Sequence, residues 1–179
     1  MTLYKSLGLD MSATASGVVI LQATGDPTPA MMLEMELKPK SLMGMARLHW
    51  IATEVMTLIH LHKPDCICME GYSLNMKNAT SVVPLVELGG VLRFMLFLDQ
   101  LKWLDPRAGQ LKEFSTGKGN SAKDLVMMHV FKRWGFEAKS NNTADAYVCA
   151  AIGLAHFGKL PGITQRMRAI AGEVKLNSQ

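Results

Sequence analysis

The stretch Tyr4–Gln22, YKSLGLDMSATASGVVILQ, decides how the rest of the chain is read. Its alternation and β-branched content predict a strand over Tyr4–Asp10, a small-residue turn over Met11–Ser16 and a second strand over Gly17–Gln22. Two such runs joined by a short turn make a hairpin, with Asp10 at the tip of a buried strand where the sheet meets solvent. A lone carboxylate there binds little. Its meaning depends on two later acids, Glu70 and Asp145, each at the end of its own apolar element.

Working outward, Ala23–Pro29 is dense in turn residues, and Met31–Lys38 alternates as a half-buried third strand with Glu34 and Glu36 on its solvent face. Ser41–His62 carries apolar residues at spacings of three and four and predicts a long helix, stopped ahead of Pro64. Asp65–Glu70 is a short apolar run closing on a carboxylate, a buried central strand between helices. A polar loop, Gly71–Thr80, leads into a helix from Ser81 to about Leu98, with Pro84 in its first turn. Lys102–Asp105 reads as a last short strand and Gln110–Asn120 as a basic, glycine-punctuated connection. Ser121 caps a helix over Ala122–Trp134, and Asn142–Phe157 is an alanine-rich final helix. The order implies an α/β fold with a mixed five-stranded sheet flanked by helices: a meander first, then strands joined through helices.

At 179 residues the chain has the size of one domain with a full core. We divide it into residues 1–158, the domain proper, and 159–179, a basic C-terminal tail, helical around Gln165–Ala171 or frayed. No apolar run approaches the roughly 20 residues that span a bilayer, so no membrane association is expected. Cys66, Cys68 and Cys149 lie in apolar surroundings without zinc-site spacing, as reduced core residues of a cytoplasmic protein would. The net charge is +4 and unevenly spread, with a slight acidic excess in the first hundred residues and a basic excess in the remainder. That asymmetry suits a metal-dependent enzyme acting on a polyanion, and solvated helix faces would also produce it.

Carboxylates at strand ends and a helix start can hold hard divalent cations through oxygen. Two such ions, about 4 Å apart, activate water and stabilise the leaving oxygen in phosphodiester hydrolysis. Asp10, on the central strand, would bridge the two, with Glu70 serving one and Asp145 the other. Each residue also has a structural reading: Asp10 as a turn residue, Glu70 as the end of a strand, Asp145 as the partner of Asn142 in a capping box.

These residues resemble the RuvC-type Holliday junction resolvases of the RNase H-like superfamily, in the divergent form found in bacteriophages. The matching segments are GLDMSATASG with Asp10, CICMEG with Glu70, LVELGGVLR (Leu85–Arg93), LKEFSTGKGNSAKDLV (Leu111–Val126) and TADAYVCAAIGLA with Asp145. The resemblance covers nearly the whole chain. It implies an RNase H-like fold, a Mg2+-dependent endonuclease (with Mn2+ as substitute) that nicks branched DNA, four-way junctions above all, and a homodimer formed through the Ser81–Leu98 helix. A bacterial cell, or the host cell of a phage, is the implied setting. In the family an acid commonly stands three residues before the last aspartate; here that position is Asn142, either a neutral metal ligand or a helix cap. Lys112 and Lys118 are candidates for catalysis beside the scissile phosphate, and Lys77, Lys112, Lys118 and Lys123 for DNA contact. Tyr72 is a candidate for stacking on a base at an opened junction.

Three other functions fit parts of the pattern: a non-catalytic junction binder on the same fold, a nuclease for flaps or RNA–DNA hybrids, and a sugar-kinase or actin-like ATPase. The last is opposed by chain length and by the lack of a second glycine-rich phosphate loop.

Overall fold

The computed structural model describes residues 3–72 and 79–177, without the side chains of 79–81. A mixed sheet organises them. β1 (Lys5–Asp10), β2 (Ser16–Gln22) and β3 (Ala30–Leu37) form the expected antiparallel meander. On the other side of β1, β4 (Cys66–Met69) runs parallel to it and β5 (Trp103–Leu104) runs parallel to β4. β6 (Leu176–Asn177) closes antiparallel on β5, giving the order β3-β2-β1-β4-β5-β6. The sheet therefore has six strands instead of five. The added strand is two residues long, too short to show a period of two.

Alternate residues of the strands feed two cores. Leu7, Leu9, Val18, Ile20, Ile67 and Met69 face α1 (Gly44–His62) and α2 (Ala79–Leu98). Val19, Leu21, Cys66 and Cys68 face a second layer of four helices: α3 (Ala108–Thr116), α4 (Lys123–Trp134), α5 (Asn141–His156) and α6 (Gln165–Glu173). The three cysteines are free and buried. No helix among the described residues is long and apolar enough to cross a membrane.

α5 is the centre of its layer and is buried from Thr143 to Ala155, which explains why it is apolar on all sides. It lies unusually close to the sheet. A Cβ on Gly8 would collide with the Ala146 carbonyl and with Ala150, and one on Gly17 with the Asn142 backbone. On the helix side, a Cβ on Gly153 would collide with Ser6 Oγ. Small residues on both partners thus bring the helix backbone down onto β1 and β2.

Several local expectations change. Gln110–Asn120 is not an open connection: most of it belongs to α3, which buries Leu111, Phe114 and Ser115 and ends at Gly117 with φ 84°. The glycine that looked like loop punctuation is a helix C-cap. Ser121 is not the cap of α4; that position is Ala122, while Ser121 Oγ donates to the Lys118 carbonyl at 2.9 Å and ties the turn. α5 is capped by Ser140, whose Oγ accepts from Thr143 N, so Asn142 is not its N-cap. Pro84 lies inside α2 and not in its first turn. Glu34 and Glu36 do not simply face solvent: Lys139 N donates to Glu34 Oε1 at 2.9 Å, and Ser140 Oγ to Glu36 Oε1 at 2.7 Å. The start of α5 overhangs this edge strand, and its amide-rich end favours anions there. The segment after residue 158 contributes Leu160, Ile163, Met167, Ile170, Ala171 and Val174 to the core.

Candidate metal centre

The parallel pairing of β1 and β4 sends Asp10 and Glu70 out of the same end of the sheet. Glu70 N continues the ladder by donating to the Leu9 carbonyl at 3.0 Å, so the two carboxylates emerge from adjacent strands. Both lie on the α5 face, since Asp10 continues the row of Ser6 and Gly8, and Glu70 that of Cys66 and Cys68. The close seam between α5 and β1 lowers Asp145 onto them. Carboxylate oxygens of Asp10, Glu70 and Asp145 all lie within 4.8 Å of one another.

This crowding governs their protonation. Burial pushes the Asp10 carboxyl well above the usual carboxylate range, the charges of Glu70 and Asp145 add to it, and Lys123 opposes it. Glu70 is also raised by burial, held back by its hydrogen bond with Asp10 and by Lys123 and Lys112. Burial and then the Glu70 charge push Asp145 up to about 6, again against Lys123 and Lys112. Three acids in a largely dry setting need a proton or a cation to coexist. An all-oxygen donor set of this kind fits a hard divalent cation.

A cavity of about 230 Å³ opens over the acids, lined by Asp10, Glu70, Tyr72, Arg93, Lys123 and Asn142 among others. A larger and more apolar cavity, about 380 Å³, adjoins it along Met11–Thr14 and reaches Arg47 and Glu87. The chemistry belongs to the smaller one, where the titratable groups converge.

The residues expected at the site fall into three sets. Asp10, Glu70, Asp145, Asn142, Tyr72 and Lys123 meet around one cavity or its floor, and Lys112 on α3 is close enough for its charge to act on Glu70 and Asp145. Lys118 sits apart in the exposed turn after α3, where its amide donates to Thr116 Oγ1 at 3.1 Å. Lys77 lies outside the described residues. Tyr72 is not a free platform: its hydroxyl donates to the Val86 carbonyl at 3.2 Å, and the Arg93 guanidinium covers one ring face at 4.3 Å. Gly89 leaves the room for both side chains.

Sequence reasoning missed two participants. Arg93 lines the cavity, held by Asp105 Oδ1 at 2.8 Å and by the Gly89 carbonyl at 3.2 Å. Its signal was the four-residue spacing from Gly89, which puts both on one helix face. Glu36 is bound by Lys38 Nζ at 2.6 Å as well as by Ser140 and Asn142. Burial alone would raise its pKa, yet these donors outweigh it and leave the carboxyl below its ordinary value.

The family model for crossover junction endodeoxyribonuclease RuvC matches residues 6–156. The RuvC crossover junction endodeoxyribonuclease of Brachyspira hyodysenteriae (strain ATCC 49526 / WA1) is 32% identical over 113 residues, 63% of this chain and 68% of that protein. Among solved structures, T. thermophilus RuvC in complex with Holliday junction substrate superposes with a TM-score of 0.71 at 19% identity, over 97% of this chain and 99% of that one. The yeast mitochondrial Holliday junction resolvase Ydc2 follows with 0.62 at 10% identity, over 94% and 80%. These likenesses bear out the RNase H-like fold. The matched segment spans all three clustered carboxylates and every element that presents them, and the chain belongs to the crossover junction endodeoxyribonuclease RuvC family.

Proposed function

We propose that this chain is a divalent-metal-dependent endonuclease that nicks four-way junctions and other branched DNA, with Mg2+ as its ion and Mn2+ as a working substitute. One observation carries the reading: three carboxylates within 4.8 Å of one another, two of which, Asp10 and Glu70, line a cavity edged by Lys123. Divalent ions bound there supply Lewis acidity to the phosphodiester and lower the pKa of an attacking water, in a two-metal arrangement. Asp10 would serve both ions and Glu70 and Asp145 one each, all through carboxylate oxygen, and Asn142 would add an amide oxygen. Lys123 and Lys112 hold the scissile phosphate against this acidic floor and offset its charge. Lys118 and Lys77 take flanking phosphates, and Tyr72, backed by Arg93, offers its remaining ring face to an unstacked base.

Resolution of a four-way junction needs two symmetric nicks, which a twofold homodimer supplies. The exposed apolar side chains of α2, with Val83 at 55% and Phe94 and Leu98 at 61%, support that helix as the shared face. The buried free cysteines suit the cytoplasm of a bacterium or of a phage-infected host.

The test is incubation with labelled four-way, flap, RNA–DNA hybrid and linear duplex substrates, with and without Mg2+ or Mn2+. Paired nicks at the four-way junction, dependent on metal, are expected. Binding without cleavage under every metal condition would make the chain a non-catalytic junction binder. Preferential cutting of flaps or hybrids would move it to another RNase H-like nuclease.

A further inference from the structure

The Asn142 carboxamide is fixed by two partners that can only accept. Its Nδ2 donates to the Ala15 carbonyl at 2.7 Å and to Glu36 Oε1 at 3.2 Å. A backbone carbonyl has no proton to give, and Glu36 is gripped by Lys38 Nζ at 2.6 Å and Ser140 Oγ at 2.7 Å. An amide NH2 has two hydrogens, and both are used here. Turning the amide over would set its oxygen against two other oxygens.

The sheet register explains how Glu36 comes to be there. Asp10 pairs with Gly17, and Gly17 pairs with Glu36, so the three stand in one row across β1, β2 and β3. Gly17 has no side chain, and the Asn142 backbone occupies the space above it. Two strand spacings separate Glu36 from Asp10, about 10 Å. That is too far for Glu36 to share an ion with Asp10 and close enough to act through the residue between them.

We propose that Glu36 is a positioning residue for the metal site: together with the Ala15 carbonyl it holds the Asn142 amide nitrogen outward, so that the amide oxygen is the atom presented to the cavity shared with Asp10 and Glu70. The inference rests on the metal-centre reading of the three acids. Glu36 does the same work on the helix itself, since the Ser140 Oγ that donates to it also accepts from Thr143 N and so holds the turn carrying Asn142.

The experiment is Mn2+ binding to metal-free protein without DNA, followed by the electron paramagnetic resonance of free Mn2+, beside thermal unfolding of each variant. Glu36→Ala should weaken Mn2+ binding about tenfold, the usual scale for outer-shell partners of a metal site, and Asn142→Ala, which removes the amide oxygen itself, at least as much. The double variant should be no weaker than Asn142→Ala alone, because Glu36 acts through Asn142. Glu36→Gln, which keeps the shape and lets the amide turn over, should weaken binding in the same direction, and it carries the test if Glu36→Ala does not fold. A folded Glu36 variant that binds Mn2+ like the parent, or single effects that multiply in the double variant, would overturn the proposal. Asp10→Asn is the control: unchanged Mn2+ binding there would sink the metal-centre reading itself, whereas loss there with no effect at Glu36 sinks only this inference.

Discussion

The two faces of the sheet are made by alternate residues of the same strands, yet they are held in different ways. On one face Leu7, Leu9, Val18 and Ile20 meet Ile51, Val55 and Leu92 through bulky side chains. On the other, Ser6, Gly8 and Gly17 meet Ala146, Ala150, Gly153 and the backbone of Asn142. Interdigitated side chains tolerate exchange of similar volumes, because rotamers and neighbours can readjust. A seam of backbone against backbone has no such slack. The acids are on the second face, so their spacing is set by side chains that are missing, while the first face supplies bulk stability.

The sharpest way to break this comparison is at the acids. Asp10→Asn, Glu70→Gln or Asp145→Asn should lower cleavage to below about a thousandth while junction binding survives. Each also relieves repulsion among buried carboxylates, so the metal-free melting temperature should rise. A variant that cuts at near the parental rate is not part of the site. The next effect contrasts neighbours on one strand. Gly8→Ala and Leu9→Ala should each cost about 3 kcal/mol in denaturant unfolding, by overpacking and by cavity formation respectively. Only Gly8→Ala should also cut the rate of the folded fraction, by about a hundredfold, because it lifts α5 and Asp145 away from Asp10. Equal rates for the two folded variants would erase the distinction between the faces.

A smaller effect follows from pH. Asp145, pushed up to about 6 mainly by burial, binds a proton more tightly folded than unfolded. Its contribution to stability is therefore fully present below the ordinary carboxylate pKa near 4 and is lost as pH rises through 6. In metal-free buffer Asp145 should account for up to about 3 kcal/mol of the parent's loss across that window, beside Asp10 and Glu70, whose carboxyls are raised as well, and Asp145→Asn should make the profile shallower. A profile that stays as steep in Asp145→Asn would assign the proton to another group. The smallest effect is in DNA binding. Lys123→Ala and Lys112→Ala should each flatten the slope of log K against log salt by about 0.9 and lower single-turnover cleavage further. Lys118→Ala, exposed and apart from the acids, should change the slope alone. Cleavage loss confined to Lys118→Ala would reverse that assignment.

Five of the six strands, the two long helices and the three acids were legible because each is a local pattern: alternation, three-and-four spacing, a carboxylate ending an apolar run. Glu36 was not. Along its own strand it alternates with apolar neighbours like any solvent-facing residue, and only the register with Gly17 reveals that it stands in line with Asp10. Arg93 was hidden for a related reason, since its role depends on the rotation of α2 against Tyr72 and Asp105. The α3 helix was masked by Gly117 and Gly119, which are common to loops and to helix ends. Leu111 and Phe114, three residues apart, were the available correction. At the start of α5, Ser140 and Asn142 are both good caps on chemical grounds, and the extended backbone of Ser140, with the Thr143 N–H on its Oγ, makes it the cap.

The seam between β1, β2 and α5 also has a meaning in time. The hydrogen bond from Asn142 to the Ala15 carbonyl spans 127 positions of sequence. During synthesis the hairpin with Asp10 and the strand with Glu70 emerge long before α5, and closing so distant a contact is slow next to forming the local ones. A growing chain therefore carries two of its acids without the third while residues 71–144 are being added. The complete set arises only when α5 docks, so a nascent or partly folded molecule has no finished centre with which to cut the DNA around it.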